Sequence, residues 1–575
     1  MTTEDELFKK ANQLHKDDKL PQAIKAYETL LGQNPTHTEG LHFLALAYAQ
    51  LGDTIQAIEN FKKALALDPS NPILYNNLAN TYKKNYQFNE AILNYQKAVK
   101  IAPDYAQAYN NLAGIYAMQG MHQQALHHYH LALKNAPDFT AAHFNLGLLF
   151  VNLNKLDAAR IQFQNVLALA PKHLDALFYL GVLALEINDL THAEQAFQQV
   201  LVENNGHVDA LTNLGVIAVK RDQGQLAVDY FSKALALNND HIEARNNLAA
   251  TFMHHDRFEN ALMHYDYLLQ KDPNNIEYLY NSGVAQMALG HLNEAINHFE
   301  HLLSVENKHF ATLNNLAAIY IRLNDKEKAK QLLLQALIVN PEDKASQHML
   351  NALSGLDKPV ETAPEYAANL FNNYALYYDE HVQKYLKYSL PQQIFHVLSD
   401  LNITHCEKTL DLGCGTGLTG QVLRDISQQL TGVDIAKKML DWARPKGIYD
   451  KLIESEALSY LKVEKELYNL IVAADVLPYF GELSTLFQQI SNHLEALGYF
   501  IFSTEISSTM PWQLQESARF SHNEEYLEQL AEANSLKIIF KKQIVARHQE
   551  GNPLPSWLIV MQKDNFSHRS GKTSL

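Results

Sequence analysis

Small and aromatic residues recur along the first part of the chain with a period of 34. One series is Ala23, Ala57, Ala91, Ala125, Ala159, Ala193, Ala227, Ala261, Ala295 and Ala329. Four residues after each comes Tyr27, Phe61, Tyr95, Tyr129, Phe163, Phe197, Phe231, Tyr265, Phe299 or Leu333. Residues spaced i and i+4 share a helix face. Pro35, Pro69, Pro103, Pro137, Pro171, Pro273 and Pro341 punctuate the series, with Asn205, Asn239 and Asn307 in the same phase. The pattern predicts ten helical hairpins without insertion, none able to bury its apolar face alone, stacked as an array. Ile338 to Leu353 is apolar on one face and suits a cap for the last hairpin.

After Leu353 the pattern changes. Residues 356–366, with prolines at 359 and 364, read as a linker between an array over 1–355 and a second domain over 367–562. Short β-rich runs then alternate with helical stretches. The predicted strands are Thr409–Leu412, Leu430–Val433, Lys451–Ile453, Leu470–Ala473, Tyr499–Ser503, Leu536–Lys541 and Trp557–Gln562. Strands and helices in alternation predict a doubly wound α/β sheet. Residues 563–575 form a polar tail.

The array resembles tetratricopeptide repeats, with two helices per unit and alanine at their close approach. One position is not explained by apolar packing: Asn77, Asn111, Asn145, Asn213, Asn247, Asn281 and Asn315 share one phase, interrupted by Tyr179. Asparagine is a mediocre helix former. The series resembles the asparagine ladder of O-linked N-acetylglucosamine transferases, and the likeness implies a concave groove that grips a peptide backbone. An amide carries both donor and acceptor, so it can serve that role, or equally bond between adjacent helices. No glycosyltransferase domain follows.

Between the first predicted strand and the next helix runs Asp411-Leu412-Gly413-Cys414-Gly415-Thr416-Gly417-Leu418. Glycines leave backbone N–H groups free to close on a ligand, and the loop feeds a helix N-terminus. A dinucleotide fingerprint would want glycine at 418, which is leucine. The spacing resembles the first motif of class I methyltransferases that use S-adenosylmethionine. That resemblance implies a Rossmann-like domain with Asp411, Gly413, Gly415 and Gly417 at the cofactor. It also implies Asp434 on the ribose, Ile435 and Met439 beside the adenine, and Glu456 with Ala457 at its amino group.

With its opening Phe371–Asp379 helix, Tyr388-Ser389-Leu390-Pro391, the Ala473–Gly481 turn, Phe502-Ser503-Thr504-Glu505 and Arg519-Phe520-Ser521-His522, the stretch 367–562 also resembles a bacterial family in which tetratricopeptide repeats precede a methyltransferase. More distantly it is similar to methyltransferases of ubiquinone and biotin biosynthesis, whose N-terminal helix closes over the cofactor. By that likeness Tyr378 and Asp379 are lid residues. Asp475 falls at the carboxyl end of the fourth strand, where reacting groups of open α/β sheets gather. It suits orienting an amine or deprotonating a hydroxyl. His522 suits proton transfer at neutral pH, and Arg519 suits a substrate carboxylate or phosphate. The alternative for both is an internal salt link to Glu524 or Glu525.

Composition narrows the classes. A net charge of −16 and the absence of a basic channel argue against nucleic acid. After the fourth strand the run is Asp475-Val476-Leu477-Pro478-Tyr479, without the paired prolines of amino-nucleobase enzymes. Only Cys406 and Cys414 occur, and no compact set of residues has structural-zinc spacing, so neither a disulfide framework nor a metal is expected. No signal-like start and no bilayer-length apolar run appear, which points to the cytoplasm. The expected function is methyl transfer from S-adenosylmethionine, with a protein partner or substrate in the repeat groove. The alternatives are a carboxyl or hydroxyl small-molecule methyltransferase docked by its repeats, and a non-catalytic scaffold.

Overall fold

The computed structural model describes residues 3–355, 362, 364–375, 378–379, 382, 386–508, 510–549 and 552–565. Most of the linker, at 356–361 and 363, and the tail from 566 onward lie outside the described residues. The chain divides into two compact units, Met1–Thr251 and Phe252–Leu575.

The first unit is a row of helical hairpins, beginning Thr3–Lys16 with Leu20–Gln33 and Thr38–Leu51 with Thr54–Leu67. The alanines of the 34-residue series are each 0 % exposed, and the aromatic that follows four residues later is buried with them. Close approach of the two helices explains both. At Gly215 an added Cβ would stand 2.4 Å from the Phe231 ring, and at Gly147 and Gly181 it would stand 2.7 Å from Phe163 and Phe197. The tight turn inside each hairpin takes one left-handed residue, again at the same period: Asp18, Gly52, Tyr86, Gly120, Asn154, Asn188 and Asp222. Asn, Asp and Gly tolerate that conformation; the exposed Tyr86 is the bulky exception. Some helix starts carry side-chain caps, with Nδ1 of His37 accepting from Gly40 N at 3.0 Å and Nδ1 of His207 from Ala210 N at 3.2 Å.

The second unit joins the last repeats to a sheet domain. Helices Ile276–Ala288 with Leu292–Val305 and Phe310–Arg322 with Lys326–Val339 continue the hairpins, and Lys344–Ser354 caps them. Then follow helix Pro364–Tyr374, helix Leu390–Asp400 and nine strands. The strands are β1 Cys406–Leu412, β2 Ser427–Asp434, β3 Lys451–Glu454, β4 Tyr468–Ala473, β5 Leu494–Ile506, β6 Trp512–Leu514, β7 Phe520–His522, β8 Leu536–Gln549 and β9 Asn552–Lys563. Their order is β3-β2-β1-β4-β5-β7-β6, with β9 between β5 and β8. Strands β1 to β5 pair in parallel, and β8 and β9 run antiparallel. One face packs Leu486, Phe487 and Ile490 against Phe500 and Phe502; the other packs Ile394 and Val397 against Leu470 and Ile501. Helices cover both faces, as buried parallel strands require.

The short hairpin β6–β7 was not foreseen from sequence. It meets the end of β5, with Glu505 opposite Ser521 and Ile506 opposite His522. The cap helix reaches the same hairpin: Nε2 of the buried His348 donates to the Ala518 carbonyl at 3.1 Å, and its ring lies 5.3 Å from that of Tyr366.

Candidate functional site

The strand ends β1, β2 and β4 open on a cavity of about 290 Å3. Gly413 and Gly415 form its floor, both with left-handed backbone. Gly413 is forced: a Cβ there would lie 2.3 Å from Val476 Cγ2. The loop is held from behind by Gly413 N and Cys414 N, which donate to the Val433 carbonyl at 2.8 and 3.1 Å.

Asp434 ends β2 and faces the cavity. Its Oδ2 accepts from Gly415 N and its Oδ1 from Ala436 N, each at 2.8 Å. Each oxygen keeps a further lone pair. Burial pushes its pKa up to about 6, against the pull of those backbone N–H donors. Ile435 and Met439 line the same end, with Ser455, Glu456, Ala457 and Leu458 opposite. Glu456 is also an N-cap, taking Leu458 N at 2.8 Å and Ser459 N at 2.6 Å.

Two of the sequence-predicted cofactor residues are outside this lining. Asp411 is 0 % exposed behind the loop, where Tyr449 Oη donates to its Oδ2 at 2.7 Å. Its Oδ1 has no partner among the described residues, and burial raises its pKa to about 7. Gly417 packs against Ile448 and Tyr449. Tyr449, which closes the back of the loop, had no motif to mark it.

Asp379 is pinned to the loop. Thr416 Oγ1 donates to Asp379 Oδ1, and Lys446 Nζ reaches Asp379 Oδ2 at 2.7 Å and the Thr416 carbonyl at 2.8 Å. Asn372 Oδ1 accepts from Lys438 N at 2.9 Å. These bonds carry Tyr378 and Phe371 into the cavity wall, against Ala436 and Met439.

At the β4 end, Asp475 lines the cavity in a left-handed conformation at φ 61°, its N–H donating to Ser503 Oγ at 3.0 Å. The two other proposed catalytic residues stand behind it, and their roles are corrected. Arg519 is 5 % exposed with every guanidinium nitrogen engaged. Nη2 reaches Asp475 Oδ1 at 2.5 Å, Nε reaches Glu505 Oε1 at 2.6 Å, and Nη1 donates to Tyr479 Oη at 2.9 Å. It positions Asp475 from outside the cavity lining. His522 is 0 % exposed, with Nε2 2.8 Å from the Phe480 carbonyl and Nδ1 2.5 Å from Thr504 Oγ1. Burial pulls its pKa down to about 4, so it stays neutral and structural. Neither pairs with Glu524 or Glu525; Glu524 instead holds Lys541.

The asparagines of the repeats are half-buried, and most donate to neighbouring side chains. In the first unit, Asn111 Nδ2 donates to Asn76 Oδ1 at 3.0 Å and to Asn80 Oδ1 at 3.3 Å. Asn145 Nδ2 donates to Asn110 Oδ1 at 3.0 Å, and Asn77 Nδ2 lies 2.9 Å from His42 Nε2. Asn213 turns to its own helix at the Asp209 carbonyl. The backbone carbonyl of Asn247 accepts from Thr251 Oγ1. In the second unit, Asn281 and Asn315 donate to the Tyr265 and Tyr280 hydroxyls at 3.1 and 3.4 Å. Asn111 and Asn145 also border a concavity of about 240 Å3 with Lys83 and Asn152. Asn111→Ala should therefore cost about 1 kcal/mol of stability, two hydrogen bonds lost against a better helix former. Thermal unfolding of the full chain checks this; a melting temperature that holds or rises would return the amide to partner contact.

Among the described residues, no helix is long and apolar enough to cross a membrane.

Comparison with known proteins agrees with this geometry. Residues 410–502 match a methyltransferase domain model. Tetratricopeptide repeat models match 45–85, 87–120, 120–172, 144–208, 212–276 and 286–353. A malonyl-[acyl-carrier protein] O-methyltransferase of Bacillus cereus is 28 % identical over 139 residues, 23 % of this chain and 50 % of that protein. A ubiquinone biosynthesis O-methyltransferase of Shewanella pealeana is 25 % identical over 122 residues, 19 % of this chain and 52 % of that protein. The chain thus spans about half the length of the curated relatives it matches. Among solved structures, YrrB, a TPR protein with an unusual peptide-binding site, aligns at 26 % identity and TM-score 0.30, covering 33 % of this chain and 97 % of its own. The chain is a tetratricopeptide-repeat protein carrying a C-terminal methyltransferase domain.

Proposed function

We propose that the C-terminal domain, over 367–562, transfers a methyl group from S-adenosylmethionine and that the repeats bind a protein or peptide partner. One observation carries the reading: the Asp434 carboxylate lies at the end of β2 on a cavity floored by Gly413 and Gly415. Ribose hydroxyls need an acceptor, and its remaining lone pairs supply two. Ile435, Met439 and Ala457 offer apolar contact for a purine, while Glu456 offers a carboxylate to its amino group. The unpartnered Oδ1 of Asp411, behind the loop, is a polar atom that suits a water or ammonium reached through the glycines.

When bound, S-adenosylmethionine supplies an electrophilic methyl group on a sulfonium sulfur. The chain's own part is placement: the Asp379–Thr416–Lys446 bonds close the lid, and Phe371, Tyr378 and Tyr479 exclude water beside Asp475. Titration calorimetry of the full chain with S-adenosylhomocysteine tests the assignment. Asp434→Ala should weaken binding by about 1.5–3 kcal/mol, the usual worth of hydrogen bonds to a charged group. Equal affinity in both proteins would overturn it.

A further inference from the structure

We infer that the methyl acceptor is an amine nitrogen, so that the domain acts as an N-methyltransferase. The inference rests on the cofactor reading above and concerns the other end of the same cavity. Tyr479 and Phe480 follow Asp475 in its wall, Phe371 and Tyr378 bridge from there to Met439, and Ala367 and Thr362 are in the same lining. Phe371 stands edge-on to Tyr479 at 5.4 Å and to Tyr378 at 6.5 Å. Among the described residues there, Asp475 is the charged group. Its Oδ1 is taken by Arg519, while its Oδ2 accepts no hydrogen bond among the described residues. Thr362 Oγ1 is buried without a partner among the described residues, and Thr362 N donates to the Tyr479 carbonyl at 3.0 Å, which holds it in this wall.

Charge bookkeeping separates the acceptor classes. A carboxylate acceptor needs a cation in the wall. Arg519 stands behind Asp475, paired with it and with Glu505, and neither it nor Arg547, whose Nη2 lies 3.4 Å from Glu505, is in the lining. Lys462 lies at the opposite end, with Glu456 and Ser459. A hydroxyl acceptor must give up its proton as it attacks, and with His522 buried and both its nitrogens engaged, the base would have to be Asp475, a carboxylate already tied to Arg519. A neutral amine needs no base to attack. Its lone pair forms the N–C bond as the C–S bond breaks, the bonding electrons stay on sulfur, and the positive charge passes from sulfur to nitrogen. A negative oxygen beside that nitrogen stabilises the charge as it develops. Aromatic faces favour the methylated ammonium as well. The extra proton leaves to water or to Asp475 Oδ2.

The test uses the full chain, a lysate of the source cells and S-adenosylmethionine carrying 13C in its methyl group. The 13C chemical shift of the transferred methyl distinguishes N-methyl from O-methyl products. A chain-dependent N-methyl signal is expected. In Asp475→Asn its rate should fall on the order of 100-fold, as when one preorganised electrostatic group is removed, with S-adenosylhomocysteine affinity retained. A new O-methyl signal alone would overturn the amine and leave the cofactor assignment standing. No new methyl signal, with S-adenosylhomocysteine bound, would overturn the amine in favour of a non-catalytic scaffold. Failure to bind S-adenosylhomocysteine would overturn both readings. The wild-type product spectrum decides even if Asp475→Asn folds poorly.

Discussion

Arg519→Met is expected to destabilise the second unit by about 3–5 kcal/mol, the cost of removing one partner from a buried ion pair. The side chains of Arg519 and Glu505 are each 6 % exposed, and that of Asp475 is 20 % exposed. Without the guanidinium, two carboxylates face each other across the β4–β5–β7 junction, with Arg547 as the remaining cation at Glu505. Attraction becomes repulsion in a poorly solvated place. Glu505→Gln in the Arg519→Met background should recover part of the loss, because it removes one orphaned charge. Urea unfolding of the full chain, followed by Trp512 and Trp557 fluorescence, reads this unit. A loss under about 1 kcal/mol would place the cluster with ordinary surface ion pairs.

Gly413→Ala is expected to lower S-adenosylhomocysteine affinity at least tenfold. The backbone there holds φ +67°, which costs an L side chain about 1–2 kcal/mol. The added Cβ would also stand 2.3 Å from Val476 Cγ2, and relieving such overpacking typically costs about 1–3 kcal/mol. Val476 follows Asp475, so the shift reaches both ends of the cavity. Calorimetry on the folded mutant gives the answer. Unchanged affinity would mean that the loop relaxes freely and does not cradle the ligand.

The repeats were readable because their packing repeats. Helix faces meet at the same residue every 34 positions, so Ala23 to Ala329 print the fold onto the sequence. The glycine loop and Asp434 were readable for a related reason: they are consecutive parts of one strand–loop–helix–strand unit. The Asp475–Arg519–Glu505 cluster was not. Its members come from the turn after β4, the hairpin before β7 and the end of β5, and only the pairing of β7 with β5 brings them together. The β6–β7 hairpin itself has three-residue strands and no Asn-Gly or Asp-Gly turn to announce it. Sequence proximity therefore suggested Glu524 and Glu525 as partners for Arg519. Lys446 and Tyr449 were missed likewise, since each acts across the loop from a segment without a motif.

The glycine–phenylalanine contacts carry a consequence for how such a chain can change. Gly147 with Phe163, Gly181 with Phe197, Gly215 with Phe231 and Gly283 with Phe299 each lie within a single hairpin. The lock and its key are inherited together. A whole hairpin can be duplicated, deleted or traded with its fit intact, but a crossover between its two helices can set a phenylalanine against a Cβ. Recombination between copies is thus safe at the loops near Pro137, Pro171 and Pro273 and hazardous at the inner turns near Asn154, Asn188 and Gly290. Drift in the array is accordingly coupled in pairs sixteen positions apart.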